Sequence, residues 1–316
     1  MPAQGSEGGG CRLQKLDPQW IAVDWGTTHL RAMAMGPRGL LAEASSEDGM
    51  GRLAREAFEP ALIALIEPWL SGTRSVPVLA CGMVGSRQGW QEAPYRTVPC
   101  TPFDPGSLVR VPTADSRVAV QLVPGLKQMK PADVMRGEET QVAGALALQP
   151  GFDGVICLPG THSKWAQISA GEVVSFQTFM TGELFALLSE ASVLRHGLTA
   201  PGWHDSAFDE AVSDALSRPE RVAARLFGLR AEGLVAGLDA ATARARLSGL
   251  LIGLELAGAR PYWLGQPILL VGAERLSGLY ARALAAQAVQ ATHLSARETV
   301  IAGLSAAHRG LMETSR

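Results

Sequence analysis

One pattern occurs twice in this chain and limits the folds open to it: an apolar strand, a Gly/Thr turn, a return strand and a third strand. In the first copy Ile21-Ala22-Val23 delivers Asp24, and the chain turns at Gly26-Thr27-Thr28. Residues 32–35 run back, a Pro-Arg-Gly turn follows at 37–39, and 39–44 supply the third strand. The second copy runs from 154 to 158, turns at Pro159 to Ser163, returns over 164–168 and ends with 173–179. Short apolar runs bounded by Gly, Pro and Thr read as strands, and strands joined by tight turns make a meander. Helices and further strands follow each meander, so the pattern predicts two duplicated α/β domains with partly parallel sheets.

Between the copies, residues 52–70 place Leu53, Phe58, Ala61, Leu62, Leu65 and Trp69 near the helical period. Pro60 marks a kink there and Pro68 an end. Residues 76–81 read as a buried strand entering a loop at Gly82, and 118–123 as another. The stretch 82–112 reads as irregular, a functional or mobile loop carrying Trp90 and Tyr95. After the join, helices are expected at 138–148, 183–194, 205–216, 219–229, 238–258, 274–288 and 298–312, with a strand at 267–271. The expected division is a disordered tail over 1–18, a first domain over 19–135 and a second over 136–316.

The 47% hydrophobic content can fill cores of that size, and a net charge of -2 with interspersed acids and bases gives no footprint for nucleic acid or anionic membrane. Lys15, Lys127, Lys130 and Lys164 are the only lysines, and none follows Gly as a phosphate-binding P-loop requires. If the chain binds a nucleotide, it does so by another device. Cys11, Cys81, Cys100 and Cys157 form no CxxC pair, which fits a reducing compartment. No stretch is apolar enough to span a bilayer and the start lacks a signal-peptide core, so the expected location is cytoplasmic.

The residue types in the turns suggest that device. Gly26 allows close backbone approach, and the amides and hydroxyls of Thr27 and Thr28 can donate to phosphate. Asp24, at a strand end, could hold hydrated Mg²⁺, which takes one or two carboxylates and keeps its waters. Gly160, Thr161 and His162 offer a matching second turn. Two such tips facing each other across a cleft would clamp phosphates without a P-loop lysine. Gly272 and Ala273, between a strand and a helix, would let a purine and ribose lie on backbone. Glu138 and Glu139 open a helix at the join; Glu139 suits the helix dipole, whereas Glu138 could accept a proton from a substrate hydroxyl.

Strand-DxG(T/S)-strand, a second Gly-Thr tip and a late VGA helix are similar to the phosphate-1, phosphate-2 and adenosine motifs of the sugar kinase/heat-shock ATPase/actin superfamily. More narrowly, DWGTTHLRA, CGMVGSRQGWQEAPY, DVMRGEETQVAGA, LPGTHSKW and TFMTGELFALL, spread over residues 20 to 190, resemble the 2-dehydro-3-deoxygalactonokinase family. The resemblance implies duplicated ribonuclease-H-like (actin-like ATPase) domains around an interdomain cleft. It also implies ATP-dependent phosphorylation of 2-dehydro-3-deoxy-D-galactonate at its 6-hydroxyl. Asp24 would position Mg²⁺, and Thr27, Thr28, Gly160 and Thr161 would hold phosphates. Glu138 stands where related kinases carry a catalytic Asp, one methylene longer, with Asp24 as the competing base. The loop with Met83 and Gly85 stands where related kinases present substrate. An acidic substrate needs a cation, so Arg136, with Trp90 and Tyr95, is the expected sugar-acid pocket; Arg31 and Arg87 are rivals. His29 and His162 could donate to phosphate or be ordinary turn residues. A kinase of another sugar on the same fold, or a nucleotide-dependent regulator, remains the alternative, and the Ala/Leu-rich helices could bury a homodimer face.

Overall fold

In the computed structural model, which describes residues 16–314, the chain forms two compact units. Most of the expected tail, with Cys11, lies outside the described residues. One unit takes the chain up to Glu92 together with Val109–Leu122; the other takes Ala93–Leu108 and everything from Val123 onward. A single division at 135/136 does not describe this arrangement, for a physical reason. Strand Leu126–Met129 pairs on one side with Arg96–Thr97 and on the other with Ala132–Met135, and Leu126 and Met135 are buried in the second unit's core.

The first unit is built on a sheet in the order Gly39–Ser46, Leu30–Gly36, Trp20–Trp25, Val76–Gly82, Val118–Leu122 and Val109–Val111. Trp20–Trp25 pairs antiparallel with Leu30–Gly36 and parallel with Val76–Gly82. The second unit repeats this order: Glu172–Phe179, Ser163–Ser169, Gly154–Leu158, Ile268–Gly272 and Ala291–Ser295. Its first three strands also form an antiparallel meander, and Gly154–Leu158, Ile268–Gly272 and Ala291–Ser295 run parallel as Trp20–Trp25, Val76–Gly82 and Val118–Leu122 do. Both units thus share the ribonuclease-H-like strand order, and the chain has the duplicated actin-like ATPase fold.

Strand Gly154–Leu158 shows why its sheet is covered on both faces. Val155 and Cys157 pack into one core with Trp165, Phe208 and Tyr280, while Ile156 and Leu158 pack into another with Val142, Phe176 and Leu269. Side chains alternate along a strand, so a run apolar at every position needs two apolar partners.

Several expected elements differ in extent. The helix expected over 52–70 is α-helical only at Phe58–Ile66, flanked by 3₁₀ turns. Pro60 is its third residue, where no intrahelical N–H is needed, so no kink results. The helix expected at 183–194 is an α-helix at Thr181–Ala186, a π turn at Leu187–Ala191 and a 3₁₀ turn at Val193–Gly197. Ser192 interrupts it: extended there, its hydroxyl donates to the Leu188 carbonyl at 2.6 Å and accepts from the Leu194 amide at 3.0 Å. No helix among the described residues is long and apolar enough to cross a membrane.

Helix Glu138–Leu148 is held against helix Ala296–Thr314 by a glycine contact. A Cβ on Gly144 would fall 1.7 Å from the Thr299 carbonyl oxygen, and one on Gly303 would fall 2.1 Å from that of Thr140. Only bare backbone allows this approach, so Gly144→Ala must push the helices apart. The expected cost is about 1–3 kcal/mol, read as a lower denaturant midpoint; an unchanged midpoint would show that the crossing yields freely.

Candidate active site

In the first unit, Asp24 sits opposite Arg31 across the hairpin, and the Arg31 guanidinium donates to its carboxylate at 3.0 Å. Burial pushes the Asp24 carboxyl up from its ordinary value, and Arg31 works against that rise. The turn beyond is braced from behind. The Met50 and Gly51 amides donate to the Gly26 and Thr27 carbonyls at 3.0 and 2.9 Å. A Cβ on Gly49 would lie 2.2 Å from the Thr28 carbonyl carbon, so only glycine fits there. Thr27, Thr28 and His29 are left exposed at the tip, with Thr28 Oγ1 2.8 Å from His29 Nδ1.

Beyond strand Val76–Gly82, residues Met83–Gly85 form a 3₁₀ turn, and the Trp90 amide donates to the Val84 carbonyl at 2.9 Å. Trp90 corrects the expected sugar-acid pocket. Its ring is buried in the first unit's core, stacked on Phe58 at 6.4 Å and edge-on to Trp25 at 6.1 Å. It anchors the loop. Of the neighbouring positions, Met83 is half-buried and Gly85 buried, and Ser86 has a buried hydroxyl without a hydrogen-bond partner.

In the second unit, Arg136 is 8% exposed, with its guanidinium 4.2 Å from the centre of the Tyr95 ring. Nη2 donates to the Ala93 carbonyl at 2.7 Å, while Nε and Nη1 are buried without a partner. A buried cation with two unspent donors is costly unless an anion completes it. Two residues on, Glu138 opens its helix. Its Oε2 accepts from the Arg136 amide at 2.9 Å and its Oε1 lies 3.9 Å from Lys164 Nζ. Lys164 is itself buried and donates to Thr178 Oγ1 at 3.0 Å. Burial raises the Glu138 carboxyl, opposed first by Lys164 and then by the backbone N–H groups.

Glu139 is fully buried beside it, bonded to the Gly137 amide at 2.7 Å and to the Thr140 hydroxyl at 3.2 Å. Burial, and then the neighbouring Glu138 charge, push it up to about 8. The folded protein therefore keeps a proton there that the unfolded chain releases above the ordinary 4.5. Stability should fall as pH rises across that interval, and Glu139→Gln should flatten this segment of the stability profile. An unaltered slope in denaturation measured from pH 5 to 8 would contradict it.

The second turn is braced like the first. The Glu183 amide donates to the Thr161 carbonyl at 3.0 Å, and a Cβ on Gly182 would lie 2.3 Å from the Gly160 carbonyl oxygen. In both units, a glycine segment just past the third strand ties down the turn. His162 faces Glu183, with Nε2 2.6 Å from its carboxylate. A cavity of about 470 Å³ opens beside this turn, lined by Gly160, Thr161, Gly182, Phe185, Trp203 and Ala273 among others. Its size suits a nucleoside. Gly272 lies behind the lining, buried at the strand end, and its carbonyl accepts from His293 Nε2 at 3.1 Å.

Comparison with known proteins decides between the classes this geometry admits. A profile of the 2-keto-3-deoxy-galactonokinase family matches residues 24–307. The chain belongs to this family. It is 40% identical over 302 residues to a protein of Rhizobium meliloti named as a 2-dehydro-3-deoxygalactonokinase, covering 92% of this chain and 97% of that one. It is 35% identical over 297 residues to the 2-dehydro-3-deoxygalactonokinase of Escherichia coli, covering 93% and 99%. A crystal structure of a Sinorhizobium meliloti protein given the same activity in its name superposes with a TM-score of 0.86 at 40% identity, covering 92% and 99%.

Within this 2-keto-3-deoxy-galactonokinase chain, Gly160, Thr161 and Ala273 share one cavity, and Tyr95, Arg136 and Glu138 form one cluster. Arg31 is committed to Asp24, and Arg87 is exposed with Glu92 at 3.9 Å. In sequence Lys164 reads only as a strand residue. The signal available was its rarity among the bases and its place directly after the second turn. Glu255, beneath that turn, reads in sequence as an ordinary helix acid. Among the described residues no group of three His, Cys, Asp or Glu could gather a metal ion, so a cation here would rest on a lone carboxylate, phosphate and water.

Proposed function

We propose that this chain transfers the γ-phosphoryl group of Mg-ATP to the 6-hydroxyl of 2-dehydro-3-deoxy-D-galactonate. The observation that carries this reading is Arg136: a buried guanidinium with two unpartnered N–H donors, two residues before a half-buried carboxylate. The family supplies ATP as donor; the Arg136 cluster supplies what a sugar acid needs, a cation for its carboxylate and a base for its hydroxyl.

In this reading Arg136 Nε and Nη1 bind the substrate carboxylate, with Tyr95 stacked on the guanidinium to fix its plane. Glu138 takes the proton of the attacking hydroxyl as that oxygen bonds to the γ-phosphorus. The bond to the bridging oxygen breaks and ADP leaves with its electron pair. Burial raises the Glu138 carboxyl, making it a stronger base than an exposed carboxylate, and Lys164 opposes that rise. Each turn offers donors to phosphate oxygens: Thr27 and Thr28 in the first unit, Gly160 and Thr161 in the second. His162 orients the second turn through Glu183. The cavity beside Ala273 takes adenine and ribose. Asp24 would hold Mg²⁺, whose charge would offset that of the phosphates. The compartment this reading implies is the cytoplasm, where ATP is available.

The product tests the proposal. Incubation with Mg-ATP and 2-dehydro-3-deoxygalactonate should give a phosphomonoester whose ³¹P signal couples to the two protons at C6. A signal coupled to a single proton would place the phosphate on a secondary hydroxyl, and no new ester would refute the reading.

A further inference from the structure

Glu255 is a carboxylate that the chemistry above does not use, yet it is 2% exposed and surrounded by donors. Trp165 Nε1 donates to its Oε1 at 2.8 Å, and the Tyr280 hydroxyl donates to its Oε2 at 2.6 Å. The hydroxyls of Thr181 and Ser163 bond to it as well, and Ser163 Oγ is also 3.0 Å from Tyr280 Oη.

These donors come from separate elements: the helices of Thr181 and Tyr280 line the 470 Å³ cavity, and the strand of Ser163 and Trp165 leaves the turn whose Gly160 and Thr161 line it. Ser163 and Trp165 begin the strand that leaves the second turn, and Thr181 opens the helix whose Gly182 packs on that turn. Tyr280 belongs to helix Glu274–Ala285, which follows Gly272-Ala273. Glu255 itself sits on helix Ala240–Gly258, which contributes Arg244, Ser248 and Leu251 to the lining. An ionised carboxylate only accepts, with two oxygens and about four lone-pair directions, so it can gather several donors at one point. A carboxamide has one oxygen and would turn an N–H toward a donor. Burying such a charge is costly, and the surrounding donors offset that cost only when all the elements are in place.

We propose that Glu255 is a positioning residue that holds the phosphate-2 turn, its capping helix and the adenosine-motif helix in mutual register. Its loss would then weaken ATP binding and spare the sugar acid. The inference rests on the reading that this cavity takes the nucleotide.

The test uses the full chain as wild type, Glu255→Gln and Tyr280→Phe. KM for Mg-ATP, KM for the sugar acid and direct ATP binding are measured alongside the melting temperature. Leaving a buried donor unpaired should raise KM for ATP and the ATP dissociation constant about tenfold in Glu255→Gln. Tyr280→Phe should show a smaller rise, and KM for the sugar acid should stay within about twofold in both. A role confined to stability would lower the melting temperature and leave KM for ATP unchanged. That result overturns the proposal, as does a parallel rise of both KM values. If Glu255→Gln does not fold, Tyr280→Phe decides by the same criteria. If the wild type itself binds no ATP, the assignment of the cavity to nucleotide fails first and this inference falls with it.

Discussion

Replacing Glu138 by Gln should lower kcat by about 10²- to 10⁴-fold, the range over which a positioned general base contributes. ATP affinity should remain near that of the wild type, because Glu138 lies at the sugar-acid cluster beside Arg136 and outside the cavity lining. The substitution keeps the size of the side chain and its acceptor for the Arg136 amide, so the helix start should survive. The pH profile gives a second sign. Glu138 works as a base only when ionised, and burial raises its carboxyl above the ordinary value. Wild-type activity should thus fall, as pH drops, at a higher pH than an exposed carboxylate would dictate, and this limb should vanish in Glu138→Gln. Asp24→Asn provides the comparison. If Asp24 were the base, its variant would lose the acid limb and Glu138→Gln would retain turnover. The present reading instead expects Asp24→Asn to weaken the response to Mg²⁺ concentration.

The second large effect belongs to Arg136. Arg136→Met keeps an unbranched apolar stem beside Tyr95 and removes the charge. Truncating one partner of a buried hydrogen-bonded ion pair costs about 2–5 kcal/mol, so KM for the sugar acid should rise roughly 30- to 5000-fold. KM for ATP should change little. Arg136→Lys should not restore the wild-type value, because the planar guanidinium both stacks on Tyr95 and donates from several nitrogens, and an ammonium cannot do both. If Arg136→Met raised KM for ATP and left that of the sugar acid unchanged, the carboxylate would have to be bound elsewhere.

The duplicated meander was readable because strand periodicity and turn residues are local signals. Ile21 to Asp24 and Val155 to Leu158 announce buried strands, and Gly-Thr pairs announce turns, without reference to distant residues. What stayed hidden depends on long-range partners. Trp90 looks the same in sequence whether it lines a pocket or fills a core; only its stacking on Phe58, 32 positions earlier, places it in the core. Lys164 reads as a strand residue until helix Glu138–Leu148 brings Glu138 to within 3.9 Å of it. Glu255 reads as an ordinary helix acid, and its one clue was its place in a helix apolar on nearly every side. Strand Ala291–Ser295 went unread because it is a half-exposed edge with Thr and His in its middle. Segment 93–108 joined the wrong unit in the linear reading because composition does not record which sheet a short strand such as Arg96–Thr97 will pair with.

The measurement closest to the central claim is ADP release by the wild-type protein with Mg-ATP and a panel of acceptors. The panel comprises 2-dehydro-3-deoxygalactonate, its gluconate epimer, several aldonates and neutral sugars. Turnover on the galactonate derivative well above every other acceptor is the predicted result. Turnover highest on a neutral sugar, or none with any acceptor despite measurable ATP binding, would contradict the account.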